Sequence, residues 1–475
     1  MGSQSGIDTG MSPDERIAQL EAENAALRQA LATALARLAE REPPAGVDPA
    51  PASAWPIRPA KRAPTEPKGP RRRRAASHNR GRRRAEPTRT VEHAFERCPE
   101  CQYRLRGRSV AYRRQVLELP EPVPVEVIEH RVLKRYCPTC ARWRQPRLDL
   151  AARGAVLGQG RIGTRLIALI AYLRHTLRLP FEPIQQYLQT LHHCHLSQGA
   201  LVGVLGQVQA APRTQAAVEQ LRQAIRASPI LHADETGWRE DGVNGYLWSF
   251  ATAGAAAVRY YTFDPSRGQI VPRRVLGHAF RGHLVSDFYA GYHAYAGPHQ
   301  RCWVHLLRDL HALKEQHPDE PAVVAWARQV RALYEQAQAW LAQTPAPSGP
   351  ERAAQYAQLV AQVRTLALPH AHDRAHPVWA LAKRLLRHEE ELFQFVLVPG
   401  LPADNNLAER SIRPQVVARK ISGGTRSAAG TQAHMALASL FATWQARGHN
   451  PFHACLHLLR HGTPPTHPDS SLPQL

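Results

Sequence analysis

Two aspartates close short apolar segments in this chain, and they are the residues best placed for chemistry. Pro229-Ile230-Leu231-His232-Ala233-Asp234 reads as a strand ending in Asp234. Residues 283–286 read as a second strand, followed at once by Asp287. A sheet fixes the side chain at a strand end, and neighbouring strand ends bring two carboxylates together. Such a pair suits magnesium, which takes oxygen ligands from one or two carboxylates and keeps room for water and phosphate. Two such ions about 3.5–4 Å apart stabilise the attacking and leaving oxygens of phosphoryl transfer. A third carboxylate must come from elsewhere. An Asp taken alone is more often a helix cap or a loop residue. Two at strand ends of one sheet, in a strongly basic protein, point to a metal site instead.

Four cysteines form a second constellation, Cys98-Pro99-Glu100-Cys101 and Cys137-Pro138-Thr139-Cys140. Each knuckle offers two thiolates at a tight turn, and four thiolates complete a tetrahedral zinc site with no open position. That makes the expected zinc structural and not catalytic. Short β-rich stretches at 114–119 and 123–136 complete a zinc-binding ribbon over 91–150. The alternative is a redox dithiol, which usually occurs once and beside a βαβ unit. Seven cysteines in all, an odd number, fit a reducing compartment better than a disulfide framework.

The elements that must position the aspartates lie in 225–310. Strands are expected at 246–252 and 256–263, with Asn244-Gly245 as turn chemistry before them. A helix is expected over 271–279, so the order of elements gives a mixed α/β sheet. Residues 305–398 read as mostly helical. A short helix runs from Asp404 to Pro414, and 431–459 is helical again. Upstream, 160–210 reads as three helices (161–177, 183–191 and 198–208), with Ser197 as a cap. That spacing suits a helix-turn-helix and equally suits any small helical bundle.

The N-terminal part has a different character. Ser12-Pro13-Asp14-Glu15 is a helix start, and a heptad follows over 12–41. Ile17, Asn24, Leu31 and Leu38 take its a positions, and Leu20, Leu27 and Ala34 its d positions. Asn24, with the pairs Arg16–Glu21 and Glu23–Arg28, suits a parallel two-stranded coiled coil, hence a homodimer or higher oligomer. The alternative is an amphipathic helix folded onto its own domain. Residues 42–90 are a basic linker of Pro, Ala and Arg. From Pro56 to Thr90 there are 13 Lys or Arg against two Glu, half of the chain's net charge of +22. Arg71, Arg72, Arg73 and Arg74 form one peak, and Arg82, Arg83 and Arg84 another. Such an arm binds phosphates with steep salt dependence. A solvated linker is the bland alternative.

That charge, with a pI of about 10.3, calls for a polyanion, either nucleic acid or an acidic membrane surface. No run of 18 apolar residues spans a bilayer, and the N-terminus lacks a signal-peptide core. The expected location is cytoplasmic.

Several blocks resemble the insertion sequence 66 family of bacterial transposases. They are His232-Ala233-Asp234-Glu235-Thr236-Gly237-Trp238, Val285-Ser286-Asp287-Phe288-Tyr289-Ala290-Gly291-Tyr292 and Arg301-Cys302-Trp303-Val304-His305. The last is Asp404-Asn405-Asn406-Leu407-Ala408-Glu409-Arg410-Ser411-Ile412-Arg413-Pro414, continued by Arg419-Lys420-Ile421-Ser422-Gly423-Gly424. The heptad helix, basic linker and paired knuckles also occur in that order in the family. Many relatives carry an aromatic run where this chain has Ile421-Ser422-Gly423-Gly424-Thr425-Arg426, which resembles a separate branch.

The resemblance implies an RNase H-like core at 225–310 and 399–460 with a helical insertion at 311–398; residues 461–475 are expected to be a disordered tail. It also implies a DDE triad of Asp234, Asp287 and Glu409 on Mg²⁺ or Mn²⁺. On spacing alone Glu409 is a surface residue paired with Arg413. The run Glu389, Glu390 and Glu391 reads as a solvated helix face, and Asp404 reads as an N-cap. Arg410, Arg413, Arg419 and Lys420 are placed to hold DNA phosphates. Cys302 and His305 form a C-x-x-H element with a possible auxiliary role, packing and DNA positioning being favoured over zinc.

The expected activity is cleavage at the ends of a mobile element and strand transfer into target DNA, in the bacterial nucleoid, with accessory proteins of the same element as possible partners. The alternatives are a hydrolytic nuclease with the same triad and a catalytically silent, zinc-containing DNA-binding protein.

Overall fold

A two-residue turn organises the central sheet. Asp241 and Gly242 both have positive φ, 49° and 78°, the backbone that matches the twist of a tight hairpin. It joins β3 (Ile230–Glu240) to β4 (Val243–Ala251), paired antiparallel from Glu240↔Val243 to His232↔Ala251. Asn244-Gly245, expected to make the turn, lies inside β4. Gly245 is required there for packing, because a Cβ would stand 2.5 Å from the Phe263 ring.

The structure, a computed structural model, describes residues 89–114, 123–278 and 280–462, with positions 25, 29 and 87 besides. Met1–Ala94 forms one unit and Phe95–Leu475 another. The expected coiled coil and the arginines at 71–74 and 82–84 lie outside the described residues, except that Ala25 and Gln29 are helical and exposed. The tail from 463 also lies outside them.

Residues 135–144 form a small hairpin of β1 (Arg135–Cys137) and β2 (Arg142–Arg144). Among the described residues of 114–136, regular structure is confined to 135–136 of β1; expected strand residues 115–119 lie outside the description. Four helices follow: α1 (Thr164–His175), α2 (Phe181–His192), α3 (Gln198–Ala210) and α4 (Pro212–Arg226). Ser197 caps α3, its side chain accepting from the Ala200 N–H, as its residue type and position require. The α3 residues Leu201, Val204, Leu205 and Val208 are buried in the same core as the sheet residues Leu231, Trp248 and Phe250. The helices therefore continue the core of the sheet and do not stand apart as a small bundle.

The sheet continues with β5 (Arg259–Asp264), α5 (Ile270–Leu276), β6 (His283–Ser286) and β7 (His299–Arg301). Its spatial order is β5-β4-β3-β6-β7. The first three strands are antiparallel, and β6 and β7 run parallel to β3. Then come α6 (Trp303–Gln316), α7 (Pro321–Gln343), α8 (Gly349–Ala367), α9 (Trp379–His388) and the short α10 (Gln394–Leu397). They share a second core with Val285 and the fully buried Trp303; burying a side chain of that size contributes more than the ~1.5–3 kcal/mol typical of a Leu or Phe. The chain returns through α11 (Asn406–Ser422) and ends with α12 (Ala428–Ala446) and α13 (Pro451–His461).

The helix beginning near Asp404 does not stop at Pro414. Pro414 lies inside α11, where it forfeits one backbone hydrogen bond. Burial of Ile412, Gln415 and Ala418 holds the helix through that point. It ends at Gly423, whose φ of 69° is the left-handed cap that glycine adopts without strain.

Candidate active site

Asp234 does not end its strand. The antiparallel partner accompanies β3 to Glu240, whereas the parallel pairing with β6 stops at His232↔Val285. Asp234 therefore stands just past the end of the parallel pairing, two residues beyond His232, as Asp287 stands two residues beyond Val285. Strand alternation sends Asp234 to the face of Trp238, Leu247 and Tyr261, which α11 covers through Ile412. Glu409 lies in the first turn of that helix.

Asp287 and Glu409 both act electrostatically on Asp234. Burial above all, with Glu235, Asp287 and Glu409 adding to it against one backbone hydrogen bond from Glu235, pushes the Asp234 carboxyl up to about 7. Burial likewise raises Glu235, with Asp287 adding to it against a hydrogen bond from Tyr292. Clustered carboxylates behave this way when desolvation and like charge disfavour ionisation. Glu409 Oε1 is buried without a hydrogen-bond partner, and His305 Nε2 stands 3.7 Å from it, beyond hydrogen-bond distance.

The loop after β6 is held from several sides. Asp287 Oδ1 accepts from the Tyr289 N–H at 3.0 Å. The Asp287 carbonyl accepts from Ser286 Oγ and from Arg301 Nη1, each at 2.8 Å. Arg301 is 1% exposed and pairs with Glu391, which also bonds His388. Burial opposes ionisation of Glu391, yet His388 and Arg301 outweigh it and hold the carboxyl down at about 2. The 389–391 run is thus a short 3₁₀ turn and not a solvated helix face. Glu389 pairs with Arg364, and Glu391 anchors a buried arginine. Asp404 accepts from the Asn406 N–H at 3.0 Å, one residue before the N-cap, Asn405.

Glu235 was not singled out by sequence reasoning, although it follows Asp234 directly. Its carboxylate accepts from Tyr292 Oη at 2.5 Å and from Arg267 at 2.7 Å. Arg267 in turn lies 3.9 Å over the Tyr289 ring. These partners come from 32 to 57 residues away, and only the fold joins them.

Of the arginines and lysine on α11, Arg410, Arg413 and Lys420 are exposed. Arg419 turns inward and donates to Thr236 Oγ1 at 3.1 Å and to the Gly237 carbonyl. Cys302 is buried, and its Sγ accepts from the Asn405 N–H at 3.1 Å.

The two knuckles adopt matching turns. Gln102 and Ala141, each directly after a knuckle's second cysteine, have φ of 59° and 50°. Backbone hydrogen bonds from Cys101 and Glu100 lower the Cys98 thiol, and one from Cys140 lowers Cys137. Thiols lowered in this way suit a soft cation.

Among the described residues no three His, Cys, Asp or Glu side chains stand close enough to hold one ion. The carboxylates are neighbours electrostatically and not a closed cage, and the two thiol pairs are not drawn into one centre. The donor chemistry still fits a hard divalent cation at the carboxylates: an all-oxygen set, with Asp234 raised by burial and its acidic neighbours and the buried Glu409 Oε1 unpartnered. Among the described residues no helix is long and apolar enough to cross a membrane.

Comparison with known proteins agrees with the resemblance in the motifs. The uncharacterized protein y4jO of Sinorhizobium fredii is 29% identical over 157 residues, covering 33% of this chain and 46% of that protein. The match thus spans about half the length of that relative. The family model for the Transposase IS66 family matches residues 159–433. That stretch runs from the approach to α1 into α12 and takes in the whole five-stranded sheet. The chain belongs to the Transposase IS66 family.

Proposed function

We propose that this protein is a DNA transposase that cleaves the ends of its element and joins them to target DNA, with Asp234, Asp287 and Glu409 holding magnesium or manganese. What supports this reading is that Asp287, after β6, and Glu409, on α11, both act on the buried Asp234 carboxyl of β3, in a chain of a transposase family. The strand order, three antiparallel strands followed by two parallel ones, supports an RNase H-like core with α7–α10 as its insertion. Divalent ions bound there would supply charge neutralisation and Lewis acidity at the phosphodiester.

The chain's own residues do the rest. Asp234 and Asp287 project from elements the sheet holds rigid, which orients the reacting phosphate. Arg410, Arg413 and Lys420 present exposed charge along one helix beside the carboxylates, suited to DNA backbone. The N-terminal arm adds a sequence-independent hold on DNA, and the heptad helix pairs two copies. Cys98, Cys101, Cys137 and Cys140 would hold structural zinc.

A plasmid carrying the gene with its flanking DNA, incubated with purified protein and Mg²⁺, should give nicked and joined products. Asp234→Asn, Asp287→Asn and Glu409→Gln should each abolish both. Cleavage without joining would make the protein a nuclease, and binding without metal-dependent cleavage would make it a silent DNA-binding protein.

A further inference from the structure

One buried residue, through its side chain and its backbone, touches three of the elements that meet at the site. Asn405 is 1% exposed and sits at the N-cap of α11. Its Nδ2 donates to the Ala233 carbonyl at 2.8 Å, which belongs to the peptide joining Ala233 to Asp234. Its Oδ1 lies 3.1 Å from His232 Nδ1. Its backbone N–H donates to Cys302 Sγ at 3.1 Å, and its carbonyl accepts from the Glu409 N–H at 3.2 Å.

The donor and acceptor chemistry fixes the orientation of this amide. A carbonyl only accepts, so the Asn405 nitrogen must face Ala233 and the oxygen must face His232. His232 then carries its proton on Nδ1. An Asp at 405 would set an acceptor against the Ala233 carbonyl, and an Ala would leave Ala233 and His232 without these partners. Buried groups stripped of partners are costly, so the arrangement strongly prefers Asn.

We propose that Asn405 is a positioning residue that locks the Glu409 helix to the peptide bearing Asp234, with Cys302 serving as a hydrogen-bond acceptor in that lock and not as a metal ligand. The proposal rests on the reading of Asp234 and Glu409 as carboxylates of one metal site. It accounts for Cys302 of the C-x-x-H element: the thiol at the start of α6 receives the N–H at the start of α11. Three segments distant in sequence, at 232–234, 302 and 405–409, are tied by one residue.

The test uses the full chain with Mn²⁺ alone as the metal probe. Free Mn²⁺ is read by electron paramagnetic resonance, nicking of the same plasmid gives kcat and KM, and thermal melting checks the fold. Asn405→Ala should weaken Mn²⁺ binding and lower kcat by about 10–100-fold, the range for residues that orient metal ligands, with KM for DNA unchanged. Cys302→Ala should shift both in the same direction, and Cys302→Ser, which keeps an acceptor, should restore them. A folded Asn405→Ala protein with unaltered Mn²⁺ affinity and kcat would overturn the proposal. If Asn405→Ala does not fold, the cysteine pair decides: Ser no better than Ala overturns it. Should Asp234→Asn and Glu409→Gln nick like the unsubstituted protein, the catalytic reading falls, whereas Mn²⁺ affinity still reports whether Asn405 ties the two carboxylates.

Discussion

The carboxylate site and the cysteine knuckles are built on opposite terms. Around Asp234 the protein holds charged groups that its own fold disfavours. Burial and the neighbouring carboxylates raise Asp234 to about 7, and the cores on either side keep it in place. The knuckles lie in a segment with little core of its own. Among the described residues, fifteen of the 23 exposed large hydrophobic ones fall between Val91 and Leu148, among them Tyr112 at 84% and Val127 at 92%. A core that exists without metal can hold a strained ligand set ready, whereas a segment without a core draws its order from the ligand. Metal should therefore act on catalysis at one site and on folding at the other.

Asp234→Asn gives the largest contrast. It should reduce cleavage and joining to background while making the metal-free protein more stable. The sign follows from the raised pKa: the unfolded chain ionises near 3.8 and the folded one near 7. The penalty begins above pH 3.8, grows until pH 7 and persists beyond it. At pH 8 in chelator the substitution should gain about 2–4 kcal/mol, from 1.36 kcal/mol per pKa unit. Denaturant melts of the two proteins at pH 4 and pH 8 would measure this. Equal stability at pH 8 would mean that the carboxylates do not repel as described.

Cys98→Ser or Cys140→Ser should do the reverse. Bound zinc should be lost, and amide exchange across 95–150 should become fast, with melting of the 159–462 part unchanged. Metal analysis of reduced, folded protein checks the first half and hydrogen exchange the second. Protection across 95–150 that survives zinc removal would erase the contrast between the regions.

How far the site was legible in the sequence follows the same division. Residues whose role is local could be read directly: the β6 strand at 283–286, the Ser197 cap, and the knuckle turns. Residues whose role depends on tertiary partners could not. Asn244-Gly245 has the composition of a hairpin turn, but the Phe263 ring needs the glycine and Asp241-Gly242 makes the turn. Pro414 has the composition of a helix stop, but burial of one face carries α11 past it. The Glu389–Glu391 run has the composition of a solvated face, yet Glu391 meets Arg301 from 90 residues away. Glu409 is a surface glutamate by spacing, and only the family resemblance pointed to it. Asn405 stood in a recognised block without a role until Ala233, His232 and Cys302 were placed around it.

Glu391→Gln tests that long-range support at a smaller scale. It leaves the buried Arg301 without its carboxylate, a change of about 1–3 kcal/mol once the partial exposure of Glu391 is allowed for. The Glu391 carboxyl titrates near 2 when folded and near 4.5 when unfolded. Its contribution is present above pH 4.5 and lost as pH falls toward 2, so the variant should lose less stability than the parent across that window. An identical acid profile would remove Glu391 from the network.

The smallest effect is expected at His305. Its Nε2 lies 3.7 Å from Glu409 Oε1, too far for a hydrogen bond, and both His305 Nδ1 and Glu409 Oε1 are buried without partners. A buried polar atom without a partner is costly, and each of these side chains carries one. The imidazole stands against Glu409, a carboxylate carried by a helix and not by the sheet. The backbone of Glu409 is fixed by α11, so any effect of the imidazole is expected on the terminal carboxylate alone. His305→Ala should therefore lower kcat by about tenfold, the weak end of the range for groups beside a metal ligand. His305→Gln, which keeps an N–H donor at similar reach, should recover part of that loss. KM for DNA and melting should barely move in either. If His305→Ala nicks at the full rate, the side chain is packing at the start of α6, and Glu409 is held by its helix alone.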